Sequence, residues 1–233
     1  MSIYIIGDLH LSFGTDKPMD IFGDNWENHS EKIKENWIKK VNKDDTVILP
    51  GDFSWGTYLE ETYNDFEFLN SLPGKKILSK GNHDYWWTTV TQMNKYIKEN
   101  NFENINFLYN NSYLVEDKII VGTRGWTTHN RNQENMKILK RELARLKLSL
   151  EDGIKKYGED KEIYCFIHYP PFYKETVEEN IDFIKLMKKY NVKKCFYGHL
   201  HADSHKEAVE GLIDGIEFKL VSSDYLDFDL MKI

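Results

Sequence analysis

The feature that most constrains the fold of this chain is a set of short polar clusters, each placed directly after an apolar run. The clusters are Gly7-Asp8-Leu9-His10, Gly51-Asp52, Gly81-Asn82-His83-Asp84, His168-Tyr169-Pro170-Pro171 and Gly198-His199-Leu200-His201. In an open α/β sheet, ligands gather at the carboxyl ends of the strands. Parallel strands would therefore bring all five clusters to one edge of a sheet, although they lie far apart in sequence.

Apolar runs of strand length alternate with stretches of helical spacing along the rest of the chain. The predicted strands cover residues 3–6, 46–49, 76–78, 106–109, 113–115, 119–121, 163–167, 195–197 and 216–222. Predicted helices carry apolar stripes at Ile33, Trp37 and Val41; at Leu59, Tyr63, Phe66 and Leu69, behind a Thr57–Glu60 capping box; at Leu139, Leu143, Leu146, Leu150 and Ile154; and at Val177, Ile181, Ile184 and Met187.

This alternation predicts an α/β fold with a largely parallel sheet and helices on its faces. Consecutive strands over residues 106–121, with a hairpin turn at 116–118, and again near the C-terminus predict a second, mixed sheet packed on the first. No internal repeat or Gly/Pro/Ser-rich linker interrupts residues 1–233. A single domain is therefore expected.

Composition excludes several classes of protein. Hydrophobic residues make up 40% of the 233, and no run of about 18 uncharged apolar residues occurs, so neither disorder nor a membrane span is expected. The start of the chain has no pattern typical of a secretory leader, which makes a cytoplasmic location the expectation. The formal net charge of −7 makes long nucleic acid an unlikely partner and leaves small anionic substrates open. The sequence does not predict an oligomeric state.

The residue types in the clusters indicate metal binding. Asp-x-His and His-x-His place two side chains on the same side of an extended segment. The candidate ligands are Asp8, His10, Asp52, Asn82, His168, His199 and His201. Seven ligands exceed the needs of one tetrahedral ion and fit two ions that share a bridging carboxylate. Four imidazoles favour Mn²⁺, Fe²⁺ or Zn²⁺ over Mg²⁺, and we take Mn²⁺ as the first expectation.

Taken together, the motifs GDLH, GD, GNHD, HYPP and GHLH resemble those of the calcineurin-like metallophosphoesterase family over positions 7–201. The resemblance implies a two-sheet β-sandwich flanked by helices, a four-layer αββα arrangement. It also implies that Asp8, His10 and His201 hold one metal ion, that Asn82, His168 and His199 hold the other, and that Asp52 bridges them.

The same resemblance implies a mechanism in which a bridging hydroxide attacks phosphorus. His83 would act as general acid or stabilise the transition state, with Asp84 orienting its imidazole and raising its pKa. The segment after Gly51-Asp52 lacks the Arg and second Asp of the family's protein Ser/Thr phosphatases. The chain therefore looks more like the small prokaryotic-type phosphohydrolases of the family.

Side chains beyond the ligands leave two open interpretations. Five tryptophans follow strand ends or lie in the long loop at 11–29, either as an aromatic wall around the metals or as packing beneath the loops; Trp55 and Trp126 are the best candidates for substrate contact. Arg124 follows a strand and is expected either to bind a substrate anion or to form a surface salt bridge. His129 and His205 are expected in solvent, and His29 at a helix start or facing the long loop.

These observations predict a phosphohydrolase acting on a small phosphomonoester or phosphodiester, with specificity in loops such as 11–29, which resembles a lid or binding loop, and 126–135. A nuclease is the alternative within the enzymes, although the acidic charge balance and the absence of a basic stripe disfavour it. A non-catalytic scaffold on the same fold is the alternative of a different class. Such a scaffold would not be expected to keep every ligand and His83.

Overall fold

The protein is described by a computed structural model that covers residues 1–126, 132–174 and 182–233. Its strands in chain order are β1 Ile3–Ile5, β2 Thr46–Pro50, β3 Lys75–Ser79, β4 Ile105–Phe107, β5 Tyr113–Val115, β6 Lys118–Thr123, β7 Glu162–Ile167, β8 Val192–Tyr197, β9 Gly211–Ile213, β10 Ile216–Leu220 and β11 Met231–Lys232. Its helices are α1 His29–Lys40, α2 Tyr63–Ser71, α3 Val90–Glu99, α4 Gln133–Tyr157 and α5 Asp182–Lys189.

The strands form two sheets. The first has the order β11-β1-β2-β3-β4, and the second has the order β5-β6-β7-β8-β10-β9. Both sheets are parallel in their centres, and antiparallel pairs close one edge of the first sheet and both edges of the second. Because parallel strands need crossover connections, helices cover the outer faces of these sheets.

Three buried clusters fill the spaces between four layers. The inner faces of the two sheets meet through side chains such as Ile5, Ile48 and Phe166. A second cluster lies between the first sheet and the stripes of α1, α2 and α3, and a third lies between the second sheet and α4 and α5. The arrangement is αββα, as expected. No helix in the described part of the chain is long and apolar enough to cross a membrane.

The two sheets come together at the carboxyl end of β1. The amide of Gly7 donates to the carbonyl of Val221 at 2.7 Å, and Gly7 forms an isolated parallel bridge with Ser222, just beyond β10. This link closes the sandwich on the side where the polar clusters emerge. The five clusters therefore follow strands of both sheets, and not one sheet edge as the sequence predicted.

Three details differ from the sequence-based expectations. Strand β4 pairs with β3 in the first sheet, whereas the sequence placed it with the β5–β6 hairpin that follows it. The capping carboxylate before α2 belongs to Glu61, whose Oε2 accepts from the amides of Thr57 and Tyr58 at 2.7 and 3.2 Å, and not to Glu60. The helical positions Val177 and Ile181 lie outside the described residues.

Candidate metal centre

The predicted ligands meet where β1, β2 and β3 of the first sheet and β7 and β8 of the second sheet end. Donor atoms of Asp8, His10 and His201 all lie within 4.8 Å of one another, and so do those of Asp8, Asp52 and His168. The two groups share Asp8 and lie side by side. Residues up to 193 positions apart in sequence (8 and 201) therefore contribute to one site.

The first donor group consists of Asp8, His10 and His201. The Nε2 atoms of His10 and His201 face each other at 3.4 Å, and His201 Nε2 lies 3.5 Å from Asp8 Oδ1. Two ligands bonded to one ion at about 2.0–2.2 Å stand roughly 3–3.5 Å apart, so these separations fit a shared ion. The residues present therefore match the chemistry of a divalent site.

We call the three residues that the resemblance assigns to the other ion, Asn82, His168 and His199, the second donor group; His168 also lies in the cluster with Asp8 and Asp52. His168 Nε2 lies 2.7 Å from Asn82 Oδ1. The imidazole of His199 packs beside that of His168, with ring centroids 5.2 Å apart. Burial, followed by the neighbouring His168, lowers the pKa of His199 to about 3, so its imidazole is neutral and keeps a lone pair for a metal.

Asp52 lies between the two donor groups. Its Oδ2 is 3.4 Å from His168 Nε2 and 3.7 Å from His10 Nε2, while its Oδ1 accepts from the amide of His83 at 2.8 Å. The side chain is buried, and burial followed by the neighbouring Asp84 and Asp8 raises the pKa of Asp52 well above its usual value. A buried carboxylate of this kind is stabilised as an anion by a cation at the same place.

The imidazoles are held by partners behind them. His168 Nδ1 faces the carbonyl oxygen of Pro50 at 3.2 Å, and His201 Nδ1 faces Asp224 Oδ1 at 2.8 Å. In each case the Nδ1–H donates to this partner and leaves the Nε2 lone pair directed into the site, which is the usual support of a metal-bound histidine. Burial lowers the pKa of His201, but the hydrogen bonds to Asp224 and Asp8 outweigh it and raise the pKa to about 10. A metal ion that binds Nε2 must therefore displace its proton.

Asp224 was not identified from the sequence. It belongs to Ser222-Ser223-Asp224, a polar cluster that follows strand β10 just as the five named clusters follow theirs. The same rule would have found it, had it been applied to this strand. His205, expected in solvent, is partly buried with its Nε2 3.2 Å from Asp224 Oδ2, so that expectation was wrong.

Close approach explains two of the glycines that begin the clusters. A Cβ atom added to Gly81 would overlap the carboxylate of Asp52, and one added to Gly198 would overlap the carboxylate of Asp8. Each glycine therefore makes room for a ligand that comes from another cluster. The glycines are visible in the sequence, but only the packing shows that each one leaves space for a ligand of a different motif.

Four of the candidate ligands have left-handed backbones. The φ angles are 58° at Asp8, 47° at His10, 51° at Asp52 and 74° at His199. Each such non-glycine conformation costs on the order of 1 kcal/mol or more, and such residues concentrate at functional sites. Backbone hydrogen bonds stabilise two of these conformations, because the amides of Asp8 and His10 donate to the carbonyls of Gly51 and Asp52 at 3.0 Å each.

His83 lies at the edge of the first donor group, but Asp84 does not orient it. The buried Asp84 carboxylate instead accepts hydrogen bonds from the amides of Gly81, Asp52, Phe53 and Ser54 and from the Trp86 indole. Asp84 thus ties the second and third clusters together. Burial, followed by His201, lowers the pKa of His83, opposite to the expected rise.

Comparison with known proteins identifies the family. The model of the calcineurin-like phosphoesterase family matches residues 1–203. The chain belongs to the calcineurin-like phosphoesterase family. Membership implies metal-dependent hydrolysis of phosphoesters, which agrees with the donor groups described above.

Individual relatives are distant. The gene 66 protein of Mycobacterium phage L5 is 34% identical over 83 residues, which are 35% of this chain and 39% of the phage protein. The match thus spans about two fifths of that relative. Two solved structures share the fold along nearly their whole length: a Thermus thermophilus protein (TM-score 0.59, 9% identity, covering 99% of this chain and 97% of that one) and an Aquifex aeolicus protein of unknown function (TM-score 0.51, 17% identity, covering 99% and 95%).

The two sides of this phosphoesterase centre have different walls. Beside the second donor group, the ring of Tyr169 packs on His199 with centroids 4.2 Å apart, and Trp126 packs on Tyr169 at 4.9 Å. Trp126 therefore lies one layer behind the ligands. Trp86 and Trp87 are buried, as expected if they pack beneath the loops.

Arg124 lies near a buried carboxylate. Its Nη2 lies 3.7 Å from Glu142 Oε1, and its guanidinium lies over the Trp126 ring at 5.3 Å from the centroid. Glu142 is fully buried and also receives Arg145 Nη1 at 2.7 Å and Thr123 Oγ1 at 2.8 Å. Of the two expectations for Arg124, the salt bridge is thus the one that the structure contains, although it is partly buried rather than at the surface.

The loop at 11–29 forms the wall beside the first donor group. It contains two 3₁₀ turns, Asp20–Phe22 and Asp24–Trp26, and it buries Met19 and Trp26. The Trp26 ring contacts both His10 and His201, with centroids 5.8 and 5.7 Å apart, and His29, the first residue of α1, packs on Trp26. His129 and residues 127–131 of the other predicted specificity loop lie outside the described residues.

Proposed function

We propose that this phosphoesterase uses two divalent ions, bound by the seven ligands named above, to hydrolyse a small phosphomonoester or phosphodiester. The position of Asp52 carries the proposal. Its Oδ2 lies within 3.7 Å of one imidazole from each donor group, so one carboxylate oxygen can serve both ions. Mn²⁺, Fe²⁺ and Zn²⁺ suit this mixture of imidazole and oxygen donors, with Mn²⁺ tried first.

Bound ions of this kind lower the pKa of water towards neutrality and neutralise charge on phosphoryl oxygens. The protein's own side chains position the substrate and donate a proton or hydrogen bond to it. His83 lies beside the first donor group, with its ring 5.6 Å from that of His10, and in the part of the chain that the structure describes its Nδ1 finds no hydrogen-bond partner. We assign it to the departing oxygen of the ester, as proton or hydrogen-bond donor.

Two alternatives are open to test. A nuclease would need a surface that attracts a long polyanion, which the net charge of −7 opposes. A non-catalytic scaffold would have no reason to keep four ligands in left-handed conformations, because that strain is expensive unless function requires it. The proposed cytoplasmic location and single-domain organisation stay predictions.

The experiment is hydrolysis of p-nitrophenyl phosphate and bis-p-nitrophenyl phosphate by metal-stripped protein refilled with Mn²⁺, Fe²⁺ or Zn²⁺. Metal content is measured on the same samples, and a single-stranded oligonucleotide is included as the nuclease substrate. The matched variant is His83→Asn, which should keep both ions and lose about 10²–10⁴-fold in turnover. Two bound ions without any hydrolysis would favour the scaffold, and cleavage of the oligonucleotide alone would favour the nuclease.

A further inference from the structure

An apolar cavity of about 220 Å³ opens beside the first donor group. Met19, Phe22, Trp26 and Trp55 line it, together with the imidazoles of His10, His83 and His201. Engineered apolar cavities of about 150 Å³ hold a benzene molecule, whereas pockets for drug-sized ligands start near about 300 Å³. The size therefore suits one flat ring system and not a larger group.

Two side chains of the wall are parallel to each other. The rings of Phe22 and Trp55 are inclined by only 8°, with centroids 6.4 Å apart. A flat ring that enters the cavity can therefore lie parallel to both of them. Phe22 is 57% exposed although it borders a cavity, so a ligand ring would bury apolar surface that the protein alone leaves in water.

Trp55 lies between the cavity and the imidazoles of His10 and His83. Its ring stacks on His10 with centroids 4.9 Å apart and lies 4.5 Å from the ring of His83. Its indole N–H donates to Met19 Sδ at 3.0 Å, which fixes the orientation of the ring. A group stacked in this cavity thus lies next to the imidazole that we assign to the departing oxygen.

We propose that the cavity binds an aromatic ring in the organic group that is esterified to the substrate's phosphate, either an aryl ring on the ester oxygen or a nucleobase joined to that oxygen through a sugar. The inference rests on the proposed function, because the metal centre is what holds the phosphoryl group beside the cavity. It goes further by stating which organic group is accepted.

The test is calorimetric titration of the Mn²⁺-loaded protein with three phosphonates, which carry a P–C bond and are not hydrolysed. Phenylphosphonate offers a flat ring, cyclohexylphosphonate an apolar ring of similar size that is not flat, and methylphosphonate no ring. Because stacking on an aromatic side chain is worth about tenfold or more in affinity, phenylphosphonate should bind about tenfold tighter than methylphosphonate, with cyclohexylphosphonate weaker than phenylphosphonate.

Two variants test whether the preference for phenylphosphonate arises in this cavity. Phe22→Ala should weaken phenylphosphonate about fivefold while changing methylphosphonate less than about twofold. Ile21→Ala is the matched control, because Ile21 is the neighbouring residue, is 72% exposed and does not line the cavity. It should leave all three affinities as they are.

The outcomes separate the two proposals. Equal binding of the three phosphonates, or equal binding of phenyl- and cyclohexylphosphonate, overturns the aromatic assignment and leaves the metal centre intact. Binding of none of them to the Mn²⁺-loaded protein contradicts the proposed role of the metal centre in holding the phosphoryl group, and the aromatic assignment with it. A second series with nucleoside 5′-phosphonates then distinguishes a nucleobase from a simple aryl group among ligands that do bind.

Discussion

The two donor groups of this centre contain similar ligands but lie against opposite kinds of wall. The first, with His10 and His201, borders an apolar cavity lined by side chains of the long loop such as Trp26. The second, with His168 and His199, lies against Tyr169, behind which Arg124 is paired with the buried Glu142. If each group holds an ion, as we propose, the ions supply the same kind of charge on both sides, and selectivity between substrates must come from the walls.

The two groups also differ in how their histidines are held. A carboxylate, Asp224, supports His201, whereas a neutral backbone carbonyl, that of Pro50, supports His168. Negative charge behind an imidazole increases its basicity as a ligand. The comparison therefore predicts that the two ions differ in affinity and that the walls differ in their effect on substrates.

The largest effect is expected at Asp52, whose carboxylate lies between the two groups. Asp52→Asn keeps an oxygen for the amide of His83 but removes the charge that is placed between the ions. Because such an electrostatic clamp supplies several kcal/mol, we expect turnover to fall about 10³-fold and bound Mn²⁺ to drop from about two equivalents to about one or fewer. Elemental analysis and steady-state kinetics on the same sample measure both.

Asp203→Asn is the control for this prediction, since Asp203 is exposed and lies two residues after His201. It should bind and turn over like the wild type. If Asp52→Asn loses no metal, the two groups are independent sites and the shared-carboxylate view of the centre is wrong.

Much of this comparison follows from the sequence. The seven candidate ligands were proposed because each follows an apolar strand, and their metal binding stays a prediction. The pattern of strands and helices predicted a largely parallel sheet with helices and a second, mixed sheet, and the family resemblance implied the αββα layers. The edge strands β9 and β11 were missed since they are only 3 and 2 residues long and partly exposed. Strand β4 was placed in the wrong sheet because a neighbour in sequence is usually a neighbour in space.

Other features depend on packing that no local pattern encodes. Adjacent residues in the third cluster, His83 and Asp84, serve different tasks, because the carboxylate turns into the protein towards backbone amides while the imidazole borders the cavity. The left-handed backbones of Asp8 and Asp52 are equally invisible in sequence, since they arise from the pairing of two distant loops. Asp224, which supports His201, lies in the polar cluster that follows strand β10, and the sequence analysis did not include that cluster.

The next largest effect concerns pH and the loop beside the first group. Asp65 is buried and accepts hydrogen bonds from the Ser54 hydroxyl and, at 2.8 Å, from the amide of Phe13 at the start of that loop. Burial raises the pKa of Asp65 from 3.8 to about 6. Between these pH values the folded protein binds more protons than the unfolded chain, so this residue's contribution to stability falls as pH rises through about 6.

Replacing Asp65 with Asn removes that titration. The unfolding free energy of Asp65→Asn minus that of the wild type should therefore rise between pH 4 and pH 7, by at most about 3 kcal/mol for a shift of about two pKa units. Urea denaturation of both proteins at several pH values measures this difference, in which the titration of all other groups cancels. A difference that stays constant with pH would show that Asp65 does not titrate in this range.

A smaller effect is expected from the support of the first group. Asp224→Asn preserves the size of the side chain and removes its charge, so the affinity for one ion of the pair should fall about 10- to 100-fold while the other is retained. Competition with a chromophoric chelator resolves the two affinities. Equal loss of both ions would mean that binding at one group depends on binding at the other. The predicted difference in affinity between the two ions would then be wrong.

The smallest effect is expected on the opposite wall, at Arg124. The distance of 3.7 Å from Arg124 Nη2 to Glu142 Oε1 is long, and Arg145 Nη1 already satisfies that oxygen at 2.7 Å. Arg124→Gln should therefore change kcat/KM for p-nitrophenyl phosphate less than about threefold and the unfolding free energy by less than about 1 kcal/mol. Arg145→Gln should cost about 2–3 kcal/mol, because it takes the close partner from a fully buried carboxylate. If Arg124→Gln instead lowers kcat/KM for the monoester more than tenfold and spares the diester, Arg124 binds the substrate's phosphate, and the second wall selects substrates as well as the first.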